Sequence, residues 1–210
     1  MTGPDFSFEQ VLIDRGRLRI AGIDEVGRGP WAGPVVAAAV VLDPRYIPPG
    51  LNDSKRLSAR ARDRLSVLIA ESAEVSLGSA SVEEIDVMNI LQASHLAMVR
   101  AVRGLSRPPD AALIDGNMVP RGMPCFAQPV VGGDGRSASI AAASIMAKIR
   151  RDLGMVALAQ QHPGYGWETN MGYGTKRHAA GLQTLGVTAH HRRSFKPIHK
   201  ILYQEKNPTR

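Results

Sequence analysis

Four carboxylates stand where apolar runs of this sequence end. Asp24 and Glu25 close the run that begins at Arg17 and are followed directly by Val26-Gly27-Arg28-Gly29. Asp115 follows Ala111 to Ile114, and Asp134 follows Phe126 to Val131 after two glycines. In α/β sheets a site is usually assembled at strand ends. Successive strand side chains point to opposite faces, so Asp24 and Glu25 can serve one site if the chain turns at Glu25 or just after it, as Gly27 and Gly29 permit. Acids gathered in this way repel one another. An uncompensated cluster costs roughly several kcal/mol and therefore takes up protons or recruits cations. Hard oxygen donors suit magnesium or manganese. Two such ions about 4 Å apart can activate a water and stabilise the leaving oxygen of an in-line phosphodiester displacement. Taken singly, each acid reads just as readily as a helix cap or turn residue, since aspartate favours both.

The elements that must deliver these acids can be read from periodicity. Arg17 to Asp24, the β-branched run Val35 to Leu42, Glu74 to Ala80, Ala111 to Ile114 and Phe126 to Val131 read as five strands. Helical patterns lie between them: Ser58 to Ala70 behind a serine cap, Ile90 to Arg103 behind Asn89, and the Ala-rich Ser137 to Asp152. For Ala141 to Ala143 the reading is close packing of that helix on a sheet. Three early strands followed by strands alternating with helices predict an α/β fold, a mixed five-stranded sheet flanked by helices. Beyond Gly154 the strand signal fades, and Met155 to Gln161, Thr175 to Leu185 and a final basic stretch read as helices. The expected organisation is a core over residues 1–154 and a C-terminal helical appendage over 155–210, continuous with the core as one compact unit. Arg107-Pro-Pro-Asp110 is too short to act as a linker between domains.

Composition narrows the class. With 210 residues, 44% hydrophobic and 21% charged, the chain can bury a full core. No apolar run approaches the roughly 18 residues of a membrane span, and the N-terminus lacks the pattern of a signal peptide, so a cytoplasmic protein without a membrane partner is expected. The single cysteine, Cys125, excludes an internal disulfide, and no Cys/His cluster with zinc spacing occurs. Residues 1–170 balance their acids and bases. Lys176, Arg177, Arg192, Arg193, Lys196, Lys200, Lys206 and Arg210 face only Glu205 in the remainder, so the net charge of +7 falls in the tail. Either a polyanion partner or a solvated basic terminus would account for it.

The motifs decide between these readings. Gly22-Ile-Asp24-Glu25-Val-Gly-Arg28-Gly-Pro-Trp-Ala-Gly33-Pro-Val-Val resembles the opening motif of type 2 ribonuclease H, the bacterial ribonuclease HII group. The resemblance continues through Leu51-Asn-Asp53-Ser54-Lys55-Arg56-Leu57, Ile85 to Ile90, Ile114-Asp115-Gly-Asn117, Gly133-Asp134 with Ser139 to Lys148, Asn170-Met-Gly-Tyr173-Gly-Thr175, His178 and His191 to Phe195. All occur in family order.

That resemblance implies an RNase H-like fold in which Asp24, Glu25, Asp115 and Asp134 are the catalytic, metal-binding set, using two Mg2+ or Mn2+ ions. It implies an endoribonuclease that hydrolyses the RNA strand of RNA/DNA hybrids, nicks 5′ of ribonucleotides embedded in duplex DNA, and leaves a 3′-hydroxyl and a 5′-phosphate. Removal of misincorporated ribonucleotides and primer remnants would be its role. Gly27, Arg28 and Gly29 are expected to read the ribose 2′-hydroxyl, the group that separates RNA from DNA, and a turn rich in glycine allows the close backbone approach this needs. Tyr173 is expected to stack on the deoxyribose after the ribonucleotide, while Lys55, with Arg56, contacts backbone phosphate. Ser144 and Lys148, four apart on one helix face, are expected to meet the strand passing Asp134. Asp134 itself lies in a glycine-rich stretch whose position the metal and substrate would set.

Met171 departs from the family pattern, which commonly has lysine there, so that one phosphate contact is expected to be missing or supplied by Lys176 or Arg177. His178 and His191 read either as proton shuttles or as hydrogen-bonded surface histidines, outside the catalytic set. A non-catalytic hybrid-binding module would have no need of four carboxylates. The sister type 3 group usually carries an extra N-terminal domain, for which too little chain precedes Arg17. A related DNA nuclease would have no use for a 2′-hydroxyl reader. A monomer is expected.

Overall fold

The computed structural model describes residues 3–204. Glu205, Lys206 and Arg210, at the end of the basic tail, lie outside the described residues. Two compact units are present. One comprises Met1–Val26, Val36–Ser79 and Ser94–Arg150, and the other Gly27–Val35, Ala80–Ala93 and Arg151–Arg210.

The strands are β1 (Ile20–Val26), β2 (Val35–Leu42), β3 (Ala73–Ala80), β4 (Ala111–Asp115) and β5 (Phe126–Val130), in the order β3-β2-β1-β4-β5. β1 runs antiparallel to β2, with Asp24 opposite Ala38, and parallel to β4, with Ile23 beside Ile114. β4 is parallel to β5, where Asp115 lies beside Val130. The sheet is therefore mixed. Its inner strands β1, β2 and β4 are almost wholly buried, which is why they read as unbroken apolar runs. The edge strand β5 tolerates Pro129, which has no N–H to give to a ladder.

Helices α1 (Ser7–Ile13), α2 (Ala59–Ser72), α3 (Val82–Met88), α4 (Ile90–Arg103), α5 (Ala138–Gln161), α6 (Trp167–Asn170), α7 (Lys176–Leu185) and α8 (Lys196–Gln204) complete the chain. Local chemistry places their starts. The Ser58 hydroxyl accepts from the Ala61 N–H at 3.2 Å, and Asn89 Oδ1 accepts from the N–H groups of Leu91 (3.0 Å) and Gln92 (3.2 Å), so both expected caps open their helices. α1, α3 and α6 are not among the expected helices. The Ser81/Glu84 capping box that opens α3 is nonetheless present in the sequence. The helices expected on either side of Gly154 are one continuous α5. A single glycine costs a helix only about 1 kcal/mol, and the burial of Met155 and Ala159 beyond it outweighs that. Among the described residues no helix is long and apolar enough to cross a membrane.

In the first unit, α5 packs on the sheet through small residues. Ala141, Ala142, Ala143 and Ala147 are fully buried with Ala38, Val40, Leu65 and Ile69. Gly22 of β1 makes the approach possible, because a Cβ there would stand 2.1 Å from the main-chain carbon of Ser139. The second unit has its own core of Ala32, Met155, Ala159, Tyr165, Trp167, Leu182 and Ile198. Gly22→Ala would force α5 off the sheet at a cost of about 1–3 kcal/mol. Calorimetry should show the melting temperature falling on the order of 5 °C, and an unchanged value would mean that the helix can back away freely.

Candidate active site

The parallel register of β1 and β4 sets the site. Because Ile23 lies beside Ile114, the next residues, Asp24 in β1 and Asp115 at the end of β4, fall on the same side of the sheet. Asp134 arrives from the short 3-10 turn Gly133–Gly135 that follows β5. That turn is tied to β4, since Asp115 Oδ1 accepts from the Gly133 N–H at 2.7 Å and from the Asp134 N–H at 3.4 Å. One carboxylate oxygen from each of Asp24, Asp115 and Asp134 lies within 4.8 Å of the others. Glu25 is not in this group. It is the next residue of β1, and its charge reaches Asp24.

Asp24 is 4% exposed. Burial, then the charges of Glu25 and Asp115, push its carboxyl well above the ordinary aspartate range, against the opposing pull of the Ser144 hydroxyl and the Glu25 N–H, whose hydrogen bond to Asp24 Oδ1 is 2.7 Å. Burial, followed by Asp115 and Asp53, raises Asp134 in the same sense. Acids held together against their own repulsion, with all-oxygen donors, fit a hard divalent cation.

Around the acids, Lys55 Nζ lies 3.9 Å from Asp134 Oδ2 on an exposed side chain. Burial works against its ammonium, but the summed charges of Asp53, Asp24, Asp134 and Asp115 prevail and raise its pKa. The loop carrying Lys55 is held from below by Arg62, whose Nη1 donates to the carbonyls of Ser54 (2.9 Å) and Leu57 (2.6 Å). Arg56 is exposed beside Lys55, and Lys148 is half-buried on α5.

The second unit holds the Gly27-Arg28-Gly29 turn. Gly27 has φ of +103°, a conformation that favours glycine, and a Cβ there would also strike the Arg151 side chain. The loop continues through Trp31, whose N–H donates to the Gly172 carbonyl (2.8 Å) and whose carbonyl accepts from the Arg192 N–H (2.8 Å). These bonds bring Tyr173 to the turn: its ring lies 3.3 Å from where a Gly29 Cβ would stand, and the residue is 47% exposed.

The family model of ribonuclease HII matches residues 21–199. A ribonuclease HII from Ruegeria pomeroyi is 65% identical over 98% of this chain and 88% of its own length. One from Paracoccus denitrificans is 58% identical over 100% of both chains. The ribonuclease H2 structure from Pyrococcus horikoshii superposes with a TM-score of 0.76 at 26% identity, over 90% of this chain and 100% of that one. The chain belongs to the ribonuclease HII family. With that membership come the RNase H-like fold and a type 2 ribonuclease H endonuclease activity.

Within this ribonuclease HII frame, several residues sit differently from expectation. Ser144 is 1% exposed, with its Oγ 2.9 Å from Ser54 Oγ and its hydroxyl facing Asp24, so it is placed to support an acid and not to meet a passing strand. His178 and His191 are not surface residues; both are fully buried, with their Nε2 atoms 3.0 Å apart. Thr188 N–H donates to His191 Nδ1, and His178 Nδ1 faces the Tyr173 carbonyl at 3.0 Å, which gives each ring one proton and leaves the pair neutral. Burial lowers His178, and burial together with His178 lowers His191 to about 3. Met171, where the family commonly has lysine, packs against the second core, and its carbonyl accepts from Arg151. Sequence reasoning missed Ser54, Arg62, Arg151 and Arg192 as supports, because only their contacts distinguish them from other polar residues of the chain.

The repulsion can be tested directly. Asp115→Asn keeps the oxygen that Gly133 needs and removes one charge from Asp24. An acid whose folded pKa is raised weakens the fold only where it is ionised, above the ordinary aspartate value of 3.8. The metal-free variant should therefore melt higher than the wild type at pH 8, with the gain vanishing as the pH falls and Asp24 takes its proton. Equal or lower melting at pH 8 would contradict the contribution of the Asp115 charge to the shift.

Proposed function

We propose that this enzyme hydrolyses the RNA strand of RNA/DNA hybrids and nicks 5′ of single ribonucleotides in duplex DNA, leaving a 3′-hydroxyl and a 5′-phosphate. The observation that carries the reading is the convergence of Asp24, Asp115 and Asp134 in the first unit. Such a convergence supports hydrolysis over binding alone, because three acids weaken a mere polyanion binder. These three residues, with Glu25 as the fourth acid, would hold two magnesium or manganese ions. When bound, the ions would supply an activated water and a counter-charge for the leaving oxygen.

The chain's own residues do the rest. Ser144 favours the ionised form of Asp24, the form a metal ligand needs. Lys55, with Arg56, holds a backbone phosphate without reading sequence, and Lys148 adds a cation on α5. Gly27, Arg28 and Gly29 present main-chain groups to the ribose 2′-hydroxyl, and Tyr173 offers its exposed ring to the neighbouring sugar. Residues 1–154 act as the catalytic core and 155–210 as the substrate-binding extension. The protein works as a monomer in the cytoplasm, with hybrids and ribonucleotide-containing DNA as its partners.

Incubation with a DNA duplex carrying one ribonucleotide should give a nick on its 5′ side with magnesium or manganese, and none with chelator. Asp24→Asn should lower turnover on the order of a thousandfold or more, the several kcal/mol of charge stabilisation a bound cation supplies. Duplex binding should persist and should weaken steeply with salt. Near-normal turnover in Asp24→Asn would remove the metal-ligand assignment; absence of any nick in the wild type would remove the proposal.

A further inference from the structure

Arg192 and Arg151 are among the largest fully buried side chains of the described residues. Arg192 donates from all three of its nitrogens to main-chain carbonyls: Nε to Gly33 (2.9 Å), Nη1 to Arg28 (2.9 Å), and Nη2 to Gly27 and to Pro34 (3.3 Å). Arg151 donates from Nε to Pro34 (3.1 Å), from Nη2 to Ala32 (3.2 Å) and from Nη1 to Met171 (2.9 Å). Two cations are thus buried in one loop, close enough that burial and then the Arg151 charge lower Arg192 to about 9. Filling space does not require this. What a guanidinium adds over an ammonium or an apolar side chain is a rigid planar fork with several donors, and here the fork orients peptide planes.

The orientation has a definite result. In a trans peptide the carbonyl and the following N–H point in opposite directions, and no peptide among the described residues is cis. With the carbonyls of Gly27 and Arg28 drawn to the buried Arg192, the N–H groups of Arg28 and Gly29 face the opposite side of the chain. Those two residues are exposed, and the Tyr173 ring lies against Gly29. We infer that Arg192, braced by Arg151, is a positioning residue for ribose selectivity: it sets the peptide planes whose N–H donors meet the 2′-hydroxyl oxygen, without itself touching substrate. The inference rests on the proposed role of Gly27 to Gly29 as the ribose reader.

Arg192→Lys keeps the charge and removes the fork. Full-length wild type and variant are titrated, with chelator present, against two fluorescent duplexes that differ only in one ribonucleotide replaced by its deoxyribonucleotide. In the wild type the ribonucleotide duplex should bind more tightly. In Arg192→Lys that preference should fall about tenfold, while affinity for the all-DNA duplex stays within about twofold, since phosphate contacts are untouched. A folded variant that keeps the wild-type preference overturns the inference, and so does an equal loss on both duplexes, the behaviour of a purely structural residue. Should Arg192→Lys fail to fold, Arg151→Lys leaves the contacts to Gly27 and Arg28 in place and should show a smaller fall in the same ratio; an unchanged ratio there overturns the inference. Indifference of the wild type to the ribonucleotide would instead strike the proposed role of Gly27 to Gly29, and the inference with it.

Discussion

Parallel pairing of β1 with β4 is the constraint on which the first unit depends. It sets Asp24 of β1 beside Asp115 at the end of β4, and the turn that carries Asp134 is hydrogen-bonded to Asp115 itself. Nothing in the sheet favours three acids at this point; burial and mutual repulsion both raise Asp24. The strain is tolerated because the strands around it are apolar and continuous, so the sheet holds the acids apart from any choice of their own. What the arrangement costs in the metal-free protein it returns as affinity for a hard cation.

The surroundings moderate that repulsion without cancelling it. Ser144 and the Glu25 N–H favour an ionised Asp24, and Lys55 lies near Asp134 on a loop that Arg62 holds by its carbonyls. Lys55 is exposed, so its attraction is screened by water and is small beside the repulsion that buried Asp24 feels from its neighbours. A close pairing of lysine with carboxylate would neutralise the cluster and leave less for a metal to bind.

The second unit carries the opposite charge in a comparable way. Arg192 and Arg151 are buried together with their donors spent on carbonyls, and a neutral histidine pair lies behind Tyr173. Both units therefore use buried groups to hold something else in place: carboxylates by strand register in one, a glycine turn by guanidinium forks in the other. The glycines are the reason this works at close range. At Gly22 a side chain would collide with the main chain of α5, and at Gly27 it would meet the Arg151 side chain in a backbone conformation that already favours glycine.

The sequence by itself determined the five strands, the acids they carry, the Ser58 and Asn89 caps and the motif string that marks the family. These are local signals: alternation, β-branched runs, caps and short spacings are each written within a few residues. Tertiary structure alone decided that Asp24, Asp115 and Asp134 converge into one group, since that follows from register between strands some ninety residues apart. It also decided that α5 runs through Gly154, because burial of Met155 outweighs a glycine's small helical penalty. Ser144, His178 and His191 look from the sequence like surface or substrate-facing groups, and Arg192 like one more cation of the basic tail. Their burial depends on which distant carbonyls and hydroxyls the fold brings to them, and no local pattern records that. The four acids visible at the strand ends thus become a three-acid cluster with a fourth beside it, and their partners are known only from the folded chain.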